Sequence, residues 1–252
     1  MQAIPFVEAV DETPQPAGGS TLGLAELLLK DPLRVDRMTR DEGSLVELVP
    51  RFLALALASF TIYSAALIAV LHFVPLAALP EIVTDHWHGG GVRTSLAVWA
   101  AYTLGMIAAS GICLPSFYFF GLLAGLRLSF LQTVAHVMKG KGATAVMLVG
   151  LLPIYFAVVM GMKVFGASET WLLDSVWLGL VLPFVAGLWG VRSIYRGFFA
   201  LVDTIPEEHR YGRAMFLRRL TLAWATVYTA VTPVMICTLW KAIADYLNQL
   251  PV

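Results

Sequence analysis

Residues Ala143–Met162 read ATAVMLVGLLPIYFAVVMGM, a run of 20 positions without a charged side chain. An α-helix of about 20 apolar residues is long enough to cross the hydrocarbon layer of a bilayer, which is about 30 Å thick. Four more stretches of the chain have this length and character. The predicted spans are Phe52–Val74, Thr94–Tyr118, Ala143–Met162, Trp171–Val191 and Leu220–Trp240.

The composition of the whole chain supports the same interpretation. Of its 252 residues, 58% are hydrophobic and 13% are charged, whereas soluble domains contain about 45–50% apolar and about 25% charged residues. The excess of apolar surface predicts an all-α polytopic membrane protein with five transmembrane helices in a lipid bilayer. The net charge is zero, which argues against a nucleic-acid partner, because such a partner needs a basic face.

The second span continues without a charge as far as Leu126. Two crossings within this stretch would place a turn inside lipid, where each unpaired backbone group costs several kcal/mol. We therefore expect one helix that is kinked at Pro115 and bends into the interface beyond Phe117.

Lysine and arginine residues are concentrated on one side of the predicted spans. Fourteen of the 17 precede the first span or lie between the second and third or the fourth and fifth spans; the others are Arg93, Lys163 and Lys241. Because positive loops stay in the cytoplasm, we expect a cytoplasmic N-terminus and an external C-terminus in a bacterial inner membrane. Cys113 and Cys237 should then lie near opposite faces of the bilayer, too far apart to form a disulfide.

Three regions are predicted along the chain. Residues 1–19 contain a stretch rich in proline, glycine and acidic residues, and they should form a disordered tail. Residues 20–50 should form cytoplasmic interfacial helices, because the apolar run Thr21–Lys30 is too short to span and too apolar for water. Residues 51–252 make up the five-helix transmembrane domain.

Helix-start signals divide these regions further. Asp31 precedes Pro32 and is predicted to cap a second interfacial helix. Ser44 and Glu47 have the spacing of a capping box, which predicts the start of the helix that feeds the first span. Leu126–Met138 has apolar residues at helical spacing and is predicted to be a separate interfacial helix.

Motifs for catalysis, cofactors and metals are missing from the sequence. The HExxH, GxSxG, P-loop and GxGxxG patterns do not occur, and no predicted span has a charge near its centre. A membrane haem needs two histidines on facing helices, yet only His72 lies in a span. The loop from Asp85 to His88 offers only three candidate ligands for zinc. We therefore predict a protein that is not an enzyme and has no catalytic, cofactor-binding or metal site.

Four predicted spans contain a proline, and several pairs of small residues stand four positions apart. Such pairs let helix backbones approach closely, so they are predicted to pack the bundle. Alternatively, helices broken at the prolines line a substrate path. The prolines are Pro115, Pro153, Pro183 and Pro233, and the small residues are Gly105, Ala109, Gly121, Gly125, Ala157 and Gly161.

Four arginines precede the fifth span within a short stretch: Arg210, Arg213, Arg218 and Arg219. One interpretation is a topology signal that also attracts anionic lipid, at about 1 kcal/mol per charge. The other is a docking surface for a cytoplasmic or membrane partner. The sequence leaves both open.

Residues Ile112–Gly125, ICLPSFYFFGLLAG, are followed by the basic amphipathic segment Arg127–Lys139. Together they resemble a pattern in bacterial five-helix membrane proteins that are similar to the YIP family, named for interaction with Ypt/Rab GTPases. The resemblance implies a cytoplasmic N-terminal region, five spans and an external C-terminus. It also implies a non-enzymatic role in organising membranes or membrane complexes.

Two functions fit these features. The first is a non-enzymatic integral membrane scaffold or accessory subunit that packs against other subunits of a larger membrane complex. The second is a permease-like component that transports a neutral or lipidic substrate. A cavity that reaches the middle of the membrane would favour transport, and a solidly packed bundle would favour the scaffold.

Overall fold

The structure is a computed structural model that describes residues 21–74, 91–123, 125–126, 128–202 and 207–249. Within these ranges the chain forms seven α-helices and no β-strand. The predicted tail at residues 1–19 and the loop at residues 85–88 lie outside the described residues. The helices are α1 Thr21–Lys30, α2 Pro32–Met38, α3 Glu42–Phe73, α4 Val92–Leu123, α5 Phe130–Val164, α6 Glu169–Val202 and α7 Glu207–Gln249.

Helices α3 to α7 confirm the predicted all-α membrane architecture. Each is long and apolar enough to cross a bilayer, and each coincides with one of the predicted spans. At about 1.5 Å per residue, even the 32 residues of α3 or α4 extend over about 48 Å. The chain is therefore an integral membrane protein whose helices are longer than the hydrocarbon layer is thick.

The prediction for the start of α5 is wrong. Leu126–Met138 is not a separate interfacial helix, because α5 is continuous from its capping box at Ser129 and Gln132 into the third span. Lys139 and Lys141 therefore lie inside this helix, and both are buried, whereas the sequence predicts that they lie in a connection outside the spans.

Helix α4 is a single helix, as predicted for the second span, and it contains Pro115. Beyond its last turn, Gly125 adopts a left-handed conformation with φ 76°. The Gly125 N–H donates to the Leu122 carbonyl oxygen at 2.8 Å. The Leu126 N–H donates to the Gly121 carbonyl oxygen at 3.3 Å, which completes a Schellman motif. Gly125 thus lies beyond the last turn and ends the helix.

The start of α3 also differs from the prediction, whereas Asp31 caps α2 as expected. Asp41 is the N-cap of α3, so Ser44 already lies in the first turn and forms no capping box. The Ser44 hydroxyl instead donates to the Met38 carbonyl oxygen at 2.7 Å. This bond ties the first turn of α3 to the last residue of α2.

The five long helices pack in a closed ring. Helix α3 lies between α4 and α5, α4 packs along α7, α5 packs along α6, and a contact between α6 and α7 closes the ring. Helix α1 contacts α3 and α5, and α2 contacts α6. The apolar α1 is thus held against other helices through Leu24 and Leu28.

The buried side chains form two clusters along the bundle. The first, termed the tyrosine core, contains Tyr63, Tyr102 and Tyr155 among aliphatic side chains of α3 to α6. The second contains Phe198 and Trp224 together with apolar side chains of α1 and α2. It lies at the end of the bundle where α1 and α2 pack.

Candidate functional site

The short helix α2 directs a charged side chain into the end of the bundle. Asp31 and Pro32 start this helix, and Val35 anchors it in the second apolar cluster. Asp36 follows Val35 and is also buried. A buried carboxylate is costly unless it is paired and hydrogen-bonded, so Asp36 needs a partner.

Lys139 of α5 is that partner. Its ammonium group donates a hydrogen bond to Asp36 Oδ1, and the lysine and aspartate side chains are only 1% and 9% exposed. Removing one member of a buried pair costs about 3–5 kcal/mol, because the other charge is left uncompensated. The pair therefore fixes α2 to α5 in one position.

Four arginines surround this ion pair, and together with it they are termed the basic end. Arg37 and Arg40 lie on or just after α2, and Arg192 and Arg196 are one turn apart on α6. Recesses of about 510 Å³ and about 250 Å³ open beside these side chains. Asp36 and Arg196 line both recesses, so the ion pair lies at their common boundary.

The basic end carries an excess of positive charge. Its one carboxylate, Asp36, is already paired with Lys139. The other ion pairs among the described residues are exposed pairs within α1 and within α3, so no described carboxylate forms an ion pair with the four arginines. Guanidinium groups recognise phosphate and carboxylate in a bidentate manner, so these recesses are suited to an anion.

Apolar side chains form the rim of the same recesses. Leu33 and Phe199 line the larger recess and are 60% and 43% exposed. Leu29 and Trp189 line the smaller recess and are exposed as well. The site therefore combines cationic groups with an apolar surface.

His136 lies buried beside the ion pair. Neither of its ring nitrogens has a hydrogen-bond partner among the described residues, which is rare for buried polar atoms. The ring packs against Phe198 with centroids 5.2 Å apart. A Cβ on Gly197 would lie 2.5 Å from His136 Nδ1 and 2.9 Å from Lys139 Nζ. The absence of a side chain at Gly197 therefore makes room for both residues.

A second buried lysine lies two residues further along α5. The Lys141 ammonium group donates a hydrogen bond to the Tyr228 hydroxyl, and that hydroxyl donates to the Met106 carbonyl oxygen at 3.2 Å. A cavity of about 130 Å³ lies beside Lys141, between α6 and α7. Sites for small organic ligands measure about 300–1,000 Å³, so this cavity is too small for a lipid.

Of the four predicted docking arginines on α7, the two with described side chains, Arg218 and Arg219, are not part of the basic end. Arg218 and Arg219 are exposed, and neither lines the two recesses. The side chains of Arg210 and Arg213 lie outside the described part of the structure. The structure thus brings together arginines of α2 and α6 that the sequence analysis does not single out.

Three of the predicted packing residues lie in the interior of the bundle. A Cβ on Gly105 would lie 3.1 Å from the Ile236 Cα, so α4 and α7 approach closely there. Ala109 is fully buried. A Cβ on Gly121 would lie 3.5 Å from Leu128 Cδ1, an ordinary packing distance.

Ala157 and Gly161 of α5 are placed differently. Ala157 is exposed, and no described atom beyond its own helix neighbourhood lies within 4 Å of a Cβ built on Gly161. This pair therefore faces outward from the described bundle.

Metal ligands and thiols give no further site in the described part of the chain. No group of three His, Cys, Asp or Glu side chains is placed there to hold a metal ion. Cys113 and Cys237 are both free, and only Cys113 is buried.

Comparison of the chain with protein-family models, curated proteins and solved structures returned no match. The similarity to the YIP family therefore stays a prediction.

The basic end is also the feature that sequence reasoning misses. From the sequence, Lys139 is expected in a connection between spans, and Arg37 and Arg40 are expected to act only as topology signals. One signal is nevertheless available, because Gly190 and Gly197 stand seven residues apart and so share a face of α6. Small residues on one face indicate that another helix approaches there.

Proposed function

We propose that the protein is a non-enzymatic integral membrane scaffold or accessory subunit of a larger membrane complex. The observation that carries this proposal is the filled tyrosine core. Tyr63 donates a hydrogen bond to the Gly179 carbonyl oxygen at 2.5 Å, and Tyr155 donates to the Ser175 carbonyl oxygen at 3.1 Å. These large buried side chains use their polar groups within the fold, which favours packing over a transport path.

The outward face of α5 supports a role in contacts with other proteins. Ala157 and Gly161 stand at the small-xxx-small spacing that lets a neighbouring membrane helix approach closely. We expect a helix of another membrane subunit to pack against this face.

The proposed orientation places the basic end in the cytoplasm and the C-terminus outside, in a bacterial inner membrane. The lysine and arginine distribution supports this orientation. A relationship to the YIP family would imply the same topology and the same kind of non-enzymatic role.

Site-specific photo-crosslinking in cells tests the accessory-subunit role. A photoreactive residue at position 154, where Ile154 is 64% exposed on the Ala157 face, should form an adduct with one other membrane protein. Leu188 of α6 is 65% exposed and provides a matched control position that should give lipid adducts only.

Two substitutions test whether the crosslink depends on the face formed by Ala157 and Gly161. Ala157→Leu together with Gly161→Leu should abolish the protein adduct at position 154, because the larger side chains hold a neighbouring helix away. Adducts with lipid alone at position 154, or only with a second copy of the chain, would contradict an accessory subunit of a larger complex.

Permease-like transport of a neutral or lipidic substrate is the alternative function. The buried Lys141 favours it for a small neutral substrate, because an ionisable residue inside a membrane protein is a functional candidate by default and a cavity of about 130 Å³ lies beside it. Transport of a water-soluble neutral substrate requires solvent to reach the middle of the bundle, near Ser64 of α3. A scaffold requires that region to stay closed, so water access at Ser64 distinguishes the two functions.

A further inference from the structure

The larger recess of the basic end collects arginines from two different helices. Arg37 and Arg40 come from the α2 region and Arg196 comes from α6, and all three line one space of about 510 Å³. An anion in this recess would offset the mutual repulsion of the three guanidinium groups. We infer that this recess binds the phosphate-bearing headgroup of an anionic phospholipid, with an acyl chain against the apolar rim.

The buried ion pair prepares the recess for its ligand. Asp36 and Lys139 fix α2 against α5, so Arg37 and Arg40 are held near Arg196 before a ligand arrives. Preorganisation of this kind lowers the entropic cost of binding. Because the Asp36 carboxylate is paired with Lys139, it does not compete with a phosphate for the arginines.

The size and the lining of the recess suit a headgroup. Its volume of about 510 Å³ is within the range of about 300–1,000 Å³ that small-ligand sites occupy. Tyr195 also lines it, and a phenolic hydroxyl can donate a further hydrogen bond to a phosphate oxygen.

The apolar rim favours a lipid over a soluble phosphate compound. Leu33 and Phe199 line the recess together with the arginines, and both are exposed. A free phosphate would leave these side chains uncovered, whereas an acyl chain would remove their surface from water. The charged and apolar parts of the site thus match the two parts of one amphiphile.

Native mass spectrometry of the full-length, delipidated protein in detergent tests this inference. Phosphatidylglycerol should form a one-to-one adduct at concentrations where phosphatidylcholine does not. Replacing Arg37→Gln and Arg196→Gln together should weaken phosphatidylglycerol binding at least tenfold. The matched pair Arg218→Gln and Arg219→Gln removes the same charge from α7 and should leave binding unchanged.

Further variants and a competition measurement identify what is bound, and melting temperatures exclude misfolding. Arg37→Lys with Arg196→Lys should retain part of the affinity, because lysine keeps the charge but loses the bidentate geometry. Inorganic phosphate in excess should displace little of the lipid. The melting temperature of each lipid-free variant should match that of the parent protein, since neither replaced arginine forms an ion pair with a described carboxylate.

Several outcomes would overturn the inference. Equal affinity for phosphatidylglycerol and phosphatidylcholine would show that the site does not recognise an anionic headgroup. An equal loss of phosphatidylglycerol affinity in the variant with Arg218→Gln and Arg219→Gln would show that binding depends on general surface charge. Full displacement by inorganic phosphate would identify a site for a soluble anion instead of a lipid.

Discussion

The tyrosine core lies inside the ring of long helices, whereas the basic end forms where the α2 region meets α5 and α6, and the polar groups of the two regions are partnered differently. In the tyrosine core, the hydroxyls of Tyr63 and Tyr155 donate to backbone carbonyl oxygens of α6. In the basic end, one ion pair is buried and the surrounding arginines have no ion pair with a described carboxylate. The polar groups of the tyrosine core are thus satisfied within the fold, whereas the arginines of the basic end remain available to an anion.

A proline explains the main polar contact of the tyrosine core. Pro183 has no N–H, so the carbonyl oxygen of Gly179, four residues earlier, lacks its usual intrahelical donor. The Tyr63 hydroxyl takes that place at 2.5 Å. A Cβ on Gly179 would lie 3.1 Å from Leu67 Cδ1, so glycine also gives the neighbouring helix room. This proline therefore serves packing, in line with the proposed scaffold.

The largest expected effect comes from breaking the ion pair of the basic end. Lys139→Met leaves the Asp36 carboxylate buried without a partner, and it should lower the free energy of unfolding by about 3–5 kcal/mol. Unfolding in a mixed-detergent titration, followed by circular dichroism, measures this loss.

The double variant Asp36→Leu with Lys139→Met is the control. Apolar side chains of similar size often replace a buried pair with little loss of stability, so the double variant should be more stable than Lys139→Met alone. A double variant that is less stable than the single variant would show that the pair does not explain the cost.

A smaller loss is expected from filling the space at Gly197. Gly197→Ala places a methyl group against His136 and Lys139, and overpacking of this kind costs about 1–3 kcal/mol. Gly187→Ala on the same helix is the matched control, because no described atom lies within 4 Å of its Cβ position. Equal melting temperatures for the two variants would argue against the close contact of α5 with α6.

The smallest loss of stability is expected from a substitution in the tyrosine core. Tyr63→Phe removes one hydrogen bond and should cost about 0.5–1.5 kcal/mol of unfolding free energy. In a Pro183→Ala background the backbone N–H at position 183 can bond Gly179 again, so the same substitution should cost less. A double-mutant cycle with no coupling between the two sites would contradict the role given to Pro183.

The sequence predicts the five spans because each depends on a local property, a long run of apolar residues. It also predicts Asp31 as a cap, since a cap depends on adjacent residues. It does not predict that α5 is continuous through Lys139, because charged residues normally stay outside a span. Only the contact with Asp36, 103 residues away along the chain, accounts for burial of that lysine.

Local sequence also does not tell which of the small residues pack inside the bundle. Gly105 and Ala109 are interior residues, whereas Ala157 and Gly161 face outward. Their spacing is the same, so the pattern indicates that a helix can approach but not which helix does. A glycine can also be present for its backbone and not for close packing. Gly125 is such a case, since it ends a helix in a left-handed conformation.

The proposed function requires the middle of the bundle to be closed to water and the basic end to be open to the cytoplasm. Ser64 is fully buried in α3 and bonded to the Thr103 hydroxyl at 3.2 Å, whereas Ser193 lines the smaller recess of the basic end. The two native cysteines are first replaced, as Cys113→Ser and Cys237→Ser. In this background, Ser64→Cys and Ser193→Cys are made as separate variants. Both variants are treated with a membrane-impermeant maleimide in inside-out and right-side-out vesicles.

Labelling of Ser193→Cys in inside-out vesicles alone, with Ser64→Cys unlabelled in both preparations, is the predicted result. Labelling of Ser64→Cys would contradict a closed bundle, because it would reveal a water path through the tyrosine core. Protection of Ser193→Cys, or its labelling only in right-side-out vesicles, would contradict the open basic end or its cytoplasmic location.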